Sequence, residues 1–167
     1  QSVRRELNGV AYVQGRQSRH AEGRTWDFAA LAEAAGQEDS FHARVDVNRA
    51  CFLAPESMID AIRRECARTG QRIPESVGQI MRCVYESLAL CYKEAVATLE
   101  ERTGRAFTAL HIVGGGCQDA LLNRLTAAAT GLPVYAGPVE GTAIGNLIVQ
   151  LIAQGALNSL EEARAVI

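Results

Sequence analysis

The central part of the chain carries a long stripe of apolar residues at three- and four-residue steps, which is the spacing of one face of an α-helix. The stripe consists of Val77, Ile80, Met81, Val84, Leu88, Cys91, Tyr92, Ala95 and Leu99. It predicts a helix over 74–102, about 43 Å long, that begins with Pro74 and stops at Gly104. We expect this face to pack in the hydrophobic core rather than to hold a cofactor.

Two shorter helices are predicted ahead of this one. Thr25 is a suitable capping residue for a helix over 27–35, which Gly36 would end. Pro55 is expected to open a second helix as its first residue, and Gly70 to close it. The buried face of that second helix is expected to hold Ile59, Ile62 and Cys66.

In the last third of the chain the pattern changes to short β-branched runs between helical stretches. Residues 110–113 have the composition of a buried strand, and three glycines and a helix over 119–130 follow them. Residues 133–136 form a second short strand, followed by a turn and a helix over 142–154. This order of elements predicts an α/β fold with a parallel, small sheet.

These patterns divide the chain into three segments. Residues 1–53 are irregular with short helices, and their basic, glycine-punctuated first part favours a frayed helix and a solvated loop. Residues 54–104 form a pair of helices. Residues 105–167 form a β-α-β-α segment, after which Ser159 and Glu162 begin a last helix as a capping box.

Composition places the chain among core-forming soluble domains. With 167 residues, 48% hydrophobic and 22% charged, it has the size of one domain and is neither disordered nor collagen-like. The formal charge of −2 creates no overall positive field, so we expect neither nucleic acid nor a membrane surface as a partner. Since no membrane-span or signal-peptide pattern is evident, a cytoplasmic location is expected.

The five cysteines show no metal-binding spacing, so no metal site is expected. Reduced thiols are the default for such a protein in a reducing compartment. An antiparallel packing of the two predicted central helices would bring Cys66 close to Cys83, which leaves a disulfide between them as the alternative.

Gly114–Gly116 lie between a predicted strand and a predicted helix. Backbone N–H groups without side chains at such a place accept phosphate or sugar oxygens of a nucleotide, although a simple tight turn is the alternative. No Lys-Ser/Thr pair follows, and Asp119 replaces the third glycine of a dinucleotide fingerprint, so both common motifs are disfavoured. A second loop over 138–145 should line the same crevice, with Gly145 serving close helix packing instead.

Several runs of residues carry a resemblance to a known family. They are His111–Gln118, Leu121–Asn123, Ala136–Glu140, Thr142–Asn146 and, before the long helix, Arg72–Ser76. Together they resemble the C-terminal part of the FGGY carbohydrate kinases. The glycine loop and the Ala-Gly-Pro-Val-Glu run are nearest to the branch that acts on L-rhamnulose. The likeness is dense from Phe52 onward and thin over 9–24.

The resemblance implies a ribonuclease-H-like fold of the actin, Hsp70 and sugar kinase superfamily, with sugar bound mainly by an N-terminal domain and nucleotide by the C-terminal one. It implies phosphorylation of L-rhamnulose by MgATP to give L-rhamnulose 1-phosphate and ADP, with Mg²⁺ held mainly outside this segment. The nucleotide contacts that it implies are Gly114, Gly115, Gly116, Gln118, Asp119, Asn123 and Gln1. Asp119 stands where the family usually has Asn, and an ionised Asp only accepts hydrogen bonds.

The same resemblance places the catalytic Asp upstream of this chain, so no catalytic residue is assigned and the chain alone is expected to be inactive. Two other functions stay open at this point: a non-catalytic nucleotide-binding protein of the superfamily, and a helical interaction module. Because only two short strands are evident, the apolar helix faces are expected to lack cover, which favours a homo-oligomer or a marginally stable monomer.

Overall fold

The computed structural model describes residues 26–40 and 42–166, an arrangement rich in helices with one small parallel sheet. Its elements are α1 (Phe28–Gln37), α2 (Met58–Arg68), α3 (Val77–Thr103), β1 (Leu110–Ile112), α4 (Ala120–Thr130), β2 (Val134–Ala136), α5 (Gly141–Ala153) and α6 (Leu160–Val166). Short 3-10 turns lie at Ala50–Phe52 and Gly115–Gln118. The α/β arrangement agrees with the sequence pattern. The predictions for residues 1–24, Gln1 among them, lie outside the described residues.

Helix α3 is the spine of the core and runs for 27 residues. It ends as predicted, with Gly104 in the left-handed conformation that favours glycine. Its predicted start at Pro74 is wrong, because the Ser76 hydroxyl accepts a hydrogen bond from the Gln79 N–H and thereby caps the helix two residues later. The apolar stripe is buried in the first half of the helix, whereas Leu99 near its end is 51% exposed.

Helix α1 crosses the first turns of α3 at very short range. A Cβ on Gly78 would lie 2.8 Å from the Ala34 carbonyl oxygen, so the crossing requires glycine. One turn later Arg82 donates from Nη1 to the Glu38 carbonyl oxygen at 3.0 Å and from Nε to Glu86 at 2.8 Å. The arginine thereby satisfies a carbonyl at the end of α1 that the helix itself leaves unbonded.

The starts of α1 and α2 also differ from the sequence predictions. Asp27 caps α1, because its Oδ1 accepts from the Ala30 N–H at 2.7 Å, whereas Thr25, the cap expected from the sequence, lies outside the described residues. Pro55 does not open α2, which is capped by Ser57 and begins at Met58. In both helices a side-chain oxygen that can accept the N3 amide decides the start.

A buried carboxylate ties α2 to the turn that precedes it. Glu65 accepts hydrogen bonds from Arg68 at 2.8 Å and from Arg49 at 2.9 Å. The hydrogen bond from Arg68 lowers the pKa of Glu65; burial opposes this shift, and the positive charge of Arg49 adds to it. The ionised carboxylate is therefore part of the folded structure.

The two strands pair in parallel, as predicted, with Leu110 opposite Val134 and Ile112 opposite Ala136. The expectation that 110–113 is a buried strand is wrong for the described residues: Leu110 and Ile112 are half-buried and His111 is exposed. Among the described residues, none in either of the two strands is fully buried, so the sheet is only partly covered. The rings of His111 and Tyr135 stack across the pair at 5.1 Å on this open surface.

Helix α5 is apolar but buries no residue within the described chain. Among the described residues, no heavy atom lies within 4 Å of a Cβ placed on Gly145, so the close helix packing predicted at this glycine is wrong for this part of the chain. Helix α6 follows with half of the expected capping box. Ser159 accepts from the Glu162 N–H, and Glu162 reaches back to the N–H of Asn158 rather than to that of Ser159.

All five cysteines are free thiols in this structure. Cys66 and Cys83 lie against each other in the core, and burial raises the pKa of both. No helix among the described residues has the length and apolar character needed to cross a membrane.

Candidate functional site

The two loops at the carboxyl ends of the strands are joined directly by backbone hydrogen bonds. The Gly114 N–H donates to the Pro138 carbonyl oxygen at 3.0 Å, and the Gly137 N–H donates to the Ile112 carbonyl oxygen at 2.8 Å. Parallel strands place their carboxyl ends at one edge of a sheet, and ligands of open α/β sheets bind at this edge. The two loops therefore lie side by side at this edge, and that they line a ligand-binding crevice stays a prediction.

The glycine loop is a tight turn with an unusual first residue. Gly114 has φ 82° and ψ −174°, a conformation that side chains other than hydrogen rarely permit. The turn closes through a hydrogen bond from the Cys117 N–H to the Gly114 carbonyl oxygen at 3.0 Å. Cys117 is buried, whereas Gly115 and Gln118 are exposed. Cys117 thus anchors the turn in the core, whereas Gly115 and Gln118 face outward.

Gly115 and Gly116 offer unused backbone donors. Within the described ranges, neither N–H has a hydrogen-bond acceptor. A Cβ placed on Gly115 would meet no heavy atom of the described residues within 4 Å, so this part of the chain leaves open space beside Gly115. Adjacent N–H groups next to open space are suited to an oxygen of a phosphate or a sugar.

Asp119 caps helix α4 and is only 4% exposed. Its Oδ1 accepts from the Leu121 N–H at 3.1 Å and from the Leu122 N–H at 3.0 Å. The carboxylate therefore occupies the positive end of the α4 dipole, where a helix N-terminus would otherwise favour an anion. Because this carboxylate fills the helix N-terminus, we expect an anion to bind at the glycine turn that precedes the helix.

Asn123 lies one turn further along α4 and faces back to the loop. Its Nδ2 donates to the Cys117 carbonyl oxygen at 2.8 Å. Its Oδ1 is buried and has no hydrogen-bond partner among the residues that the structure describes. The amide thus supports the end of the glycine turn from inside.

The structure brings all the described site residues of the sequence prediction into one strand-turn-helix unit, and Gln1 lies outside the described residues. It adds one residue that sequence reasoning missed: Val113 is exposed, with its Cβ 3.5 Å from where a Cβ on Gly141 would lie. It also gives a definite role to Pro138, which the sequence placed in the second loop, because its carbonyl oxygen accepts from the first glycine. Only the position of Val113 at the end of a predicted strand, directly before the glycines, signalled its contact. No cluster of three metal-ligating side chains occurs in the described part of the chain.

Comparisons with known proteins agree with the motif. Residues 4–154 match the C-terminal domain of the FGGY family of carbohydrate kinases. The chain is 45% identical over 142 residues to a rhamnulokinase from Halalkalibacterium halodurans, which covers 85% of this chain and 30% of that protein. It is 44% identical over 144 residues to a rhamnulokinase from Enterococcus faecalis, covering 85% of this chain and 29% of the relative.

A third relative gives the same picture. The rhamnulokinase of Bacillus subtilis is 41% identical over 142 residues, with 85% of this chain and 29% of that protein covered. The chain therefore spans less than a third of the length of the relatives that it matches.

Proposed function

The chain belongs to the FGGY family of carbohydrate kinases, whose C-terminal domain it carries, and on this premise we propose that it provides the nucleotide-binding half of a kinase that phosphorylates L-rhamnulose. The observation that carries the proposal is the pair of N–H groups at Gly115 and Gly116 that have no acceptor among the described residues, with open space beside Gly115. The relatives' name, rhamnulokinase, supports the sugar. A ribonuclease-H-like fold is part of the proposal.

In the proposed reaction the 1-hydroxyl of L-rhamnulose attacks the γ-phosphorus of ATP. A bond forms between that oxygen and phosphorus, the bond to the ADP oxygen breaks, and the hydroxyl proton passes to a carboxylate base. This chain binds and orients the nucleotide through the glycine turn, since its N–H groups are fixed before the ligand arrives. We place the base in the part of the parent kinase that this chain does not span.

A Mg²⁺ ion does not fit the residues of this loop. The nearest carboxylate along the chain, Asp119, is buried and already accepts two helix N–H groups through Oδ1. Mg²⁺ prefers carboxylate and water oxygens with octahedral freedom, which a buried helix cap does not offer. We therefore assign its ligands to the rest of the kinase and to the phosphates.

The glycine turn is tested by comparing two glycine substitutions. Gly115→Val should leave the fold intact, because the added atoms meet open space, but should block the approach of a nucleotide. We expect ATP binding to this chain, measured by calorimetric titration, to weaken about tenfold or more. Gly36→Val is the matched control, since Gly36 is equally open and lies in α1. Unchanged ATP affinity in Gly115→Val would remove the turn from the site.

A second assay separates this proposal from a non-catalytic nucleotide-binding protein. The chain alone should give no ADP from L-rhamnulose and MgATP in a coupled assay, whereas the parent protein should give it. A parent protein that binds ATP and shows no turnover with any ketose would favour a nucleotide sensor. A chain and parent that bind no nucleotide would favour an interaction module.

A further inference from the structure

The residues around the glycine turn fall into two groups by exposure. Gly115 and Gln118 are exposed, whereas Asp119 is buried and Asn123 is half-buried with its polar atoms turned inward. All four are candidate nucleotide contacts on sequence grounds. Their environments show that they cannot all meet a ligand in the same way.

Asp119 is the junction between the turn and helix α4. Its carboxylate accepts two N–H groups of the first helical turn. Its own N–H donates to the Gly116 carbonyl oxygen at 3.2 Å, and its carbonyl oxygen accepts from the Asn123 N–H at 3.0 Å. The residue therefore connects the third glycine to the helix through both its backbone and its side chain.

The orientation of the Asn123 amide follows from its partner. The Cys117 carbonyl oxygen can only accept, and the donor of the asparagine amide is Nδ2, so this bond requires Nδ2 on that side and turns Oδ1 the other way. Oδ1 then lies in the interior with no exposed surface. An atom without exposed surface cannot take a hydrogen bond from a bound base unless the helix moves.

We propose that Asp119 and Asn123 serve nucleotide binding as positioning residues, which hold the glycine turn from behind, and that Gly115 and Gln118 make the direct contacts. The inference rests on the proposed function, because it assigns roles within the same site. It also explains how an Asp is accommodated at position 119: a helix cap needs only an acceptor, and Asp supplies it as well as Asn does.

The test combines affinity, base preference and local amide exchange in the purified chain. Asn123→Leu removes the donor to Cys117, and Asp119→Ala removes the cap. Each should weaken ATP binding about five- to tenfold at a temperature where the protein stays folded. Amide hydrogen exchange at Cys117, whose N–H donates to the Gly114 carbonyl oxygen, should become faster in both variants, while exchange in the first half of α3 stays the same.

Asp119→Asn is the rescuing variant. Because the amide oxygen also caps, it should keep ATP affinity within about twofold and leave the ratio of ATP to GTP affinity unchanged. Gln118→Leu should weaken ATP binding without changing amide exchange in the turn. Gln150→Leu, at an exposed position of α5, is its control and should change neither.

Two results would overturn the inference. One is an altered ATP to GTP preference in Asp119→Asn, which would make residue 119 a direct base contact. The other is unchanged exchange in the turn of Asn123→Leu, which would show that the amide does not hold it. If the wild-type chain binds no nucleotide, the proposed function fails, and the exchange measurement still decides whether these residues hold the turn.

Discussion

Two apolar helices of this protein have opposite environments. Leu88, in the first half of α3, is 2% exposed, whereas Leu147 in α5 is 56% exposed. Helix α3 is packed by α1 and α4. Helix α5, by contrast, buries no residue in the part of the chain that the structure describes. A hydrophobic pattern thus shows that a helix face needs a partner, but not that the partner belongs to the same stretch of chain.

The largest difference between the two regions should appear on truncation of one leucine in each. Leu88→Ala opens a cavity in the packed core and should lower the free energy of unfolding by about 3 kcal/mol. Leu147→Ala removes mostly exposed surface and should change it by less than about 0.5 kcal/mol. Urea unfolding at low protein concentration measures both. Equal losses of unfolding free energy in the two variants would mean that Leu147 of α5 is packed in solution.

A smaller effect, confined to the helical region, is expected at Glu65. Glu65→Gln keeps the size of the side chain but removes the charge that Arg49 and Arg68 contact. Both arginines are substantially solvent-exposed, so the expected loss at neutral pH is only about 1–2 kcal/mol.

The loss from Glu65→Gln should depend on pH with a definite sign. The folded protein lowers the pKa of Glu65, so its stabilising contribution is complete above the ordinary pKa of glutamate and is lost as pH falls through the lower folded value. The difference between wild type and variant should therefore shrink between about pH 6 and pH 3. A difference that stays constant over this range would contradict the role of the charge.

Self-association should arise from the exposed apolar residues of α5 and not from the core around α3. We expect the molar mass of the purified chain from light scattering to rise with concentration, because exposed apolar surface on α5 is buried between copies. Leu147→Glu combined with Val149→Lys should suppress the rise at constant net charge. Leu53→Glu combined with Ile73→Lys changes two exposed apolar residues elsewhere and should not. A monomer at all concentrations would disprove the expectation.

The smallest expected effect concerns the thiols of the core. Burial raises the pKa of Cys66 and Cys83, so little thiolate forms there and the folded chain should react first at the exposed Cys51. In denatured protein, all five thiols should react with a thiol reagent, with or without prior reduction. Fewer than five without reductant would show that Cys66 and Cys83, or another pair, form a disulfide.

Helix ends at a left-handed glycine were easier to predict from the sequence than helix starts, although Gly36, predicted to end α1, lies inside that helix, which continues to Gln37. Gly104 and Gly131 end their helices in the left-handed conformation, a signal carried by the residue itself. Pro55 and Pro74 suit a first helical position, but the serine two residues after each of them caps the helix. The start of a helix depends on which nearby side-chain oxygen accepts a hydrogen bond from the N3 amide. In both helices this oxygen belongs to the serine and not to the residue before the proline.

The meeting of the two loops could be predicted because strand order determines it. The burial of Asp119 could not. A helix that starts at 119 leaves this carboxylate outside, whereas one that starts at Ala120 makes it the cap, and this one-residue difference is decided by packing. The exposure of the two strands could not be predicted from the sequence either, since it depends on which other elements pack against the sheet.

Amide hydrogen exchange with and without excess ADP tests the central claim most directly, because it compares the glycine turn with the packed core in one experiment. Binding at the glycine turn should slow exchange of the Gly115 and Gly116 amides, which have no acceptor among the described residues. It should leave the buried first half of α3 unchanged. Unaltered exchange at both glycines in a chain that binds ADP would contradict the claim that this turn holds the nucleotide.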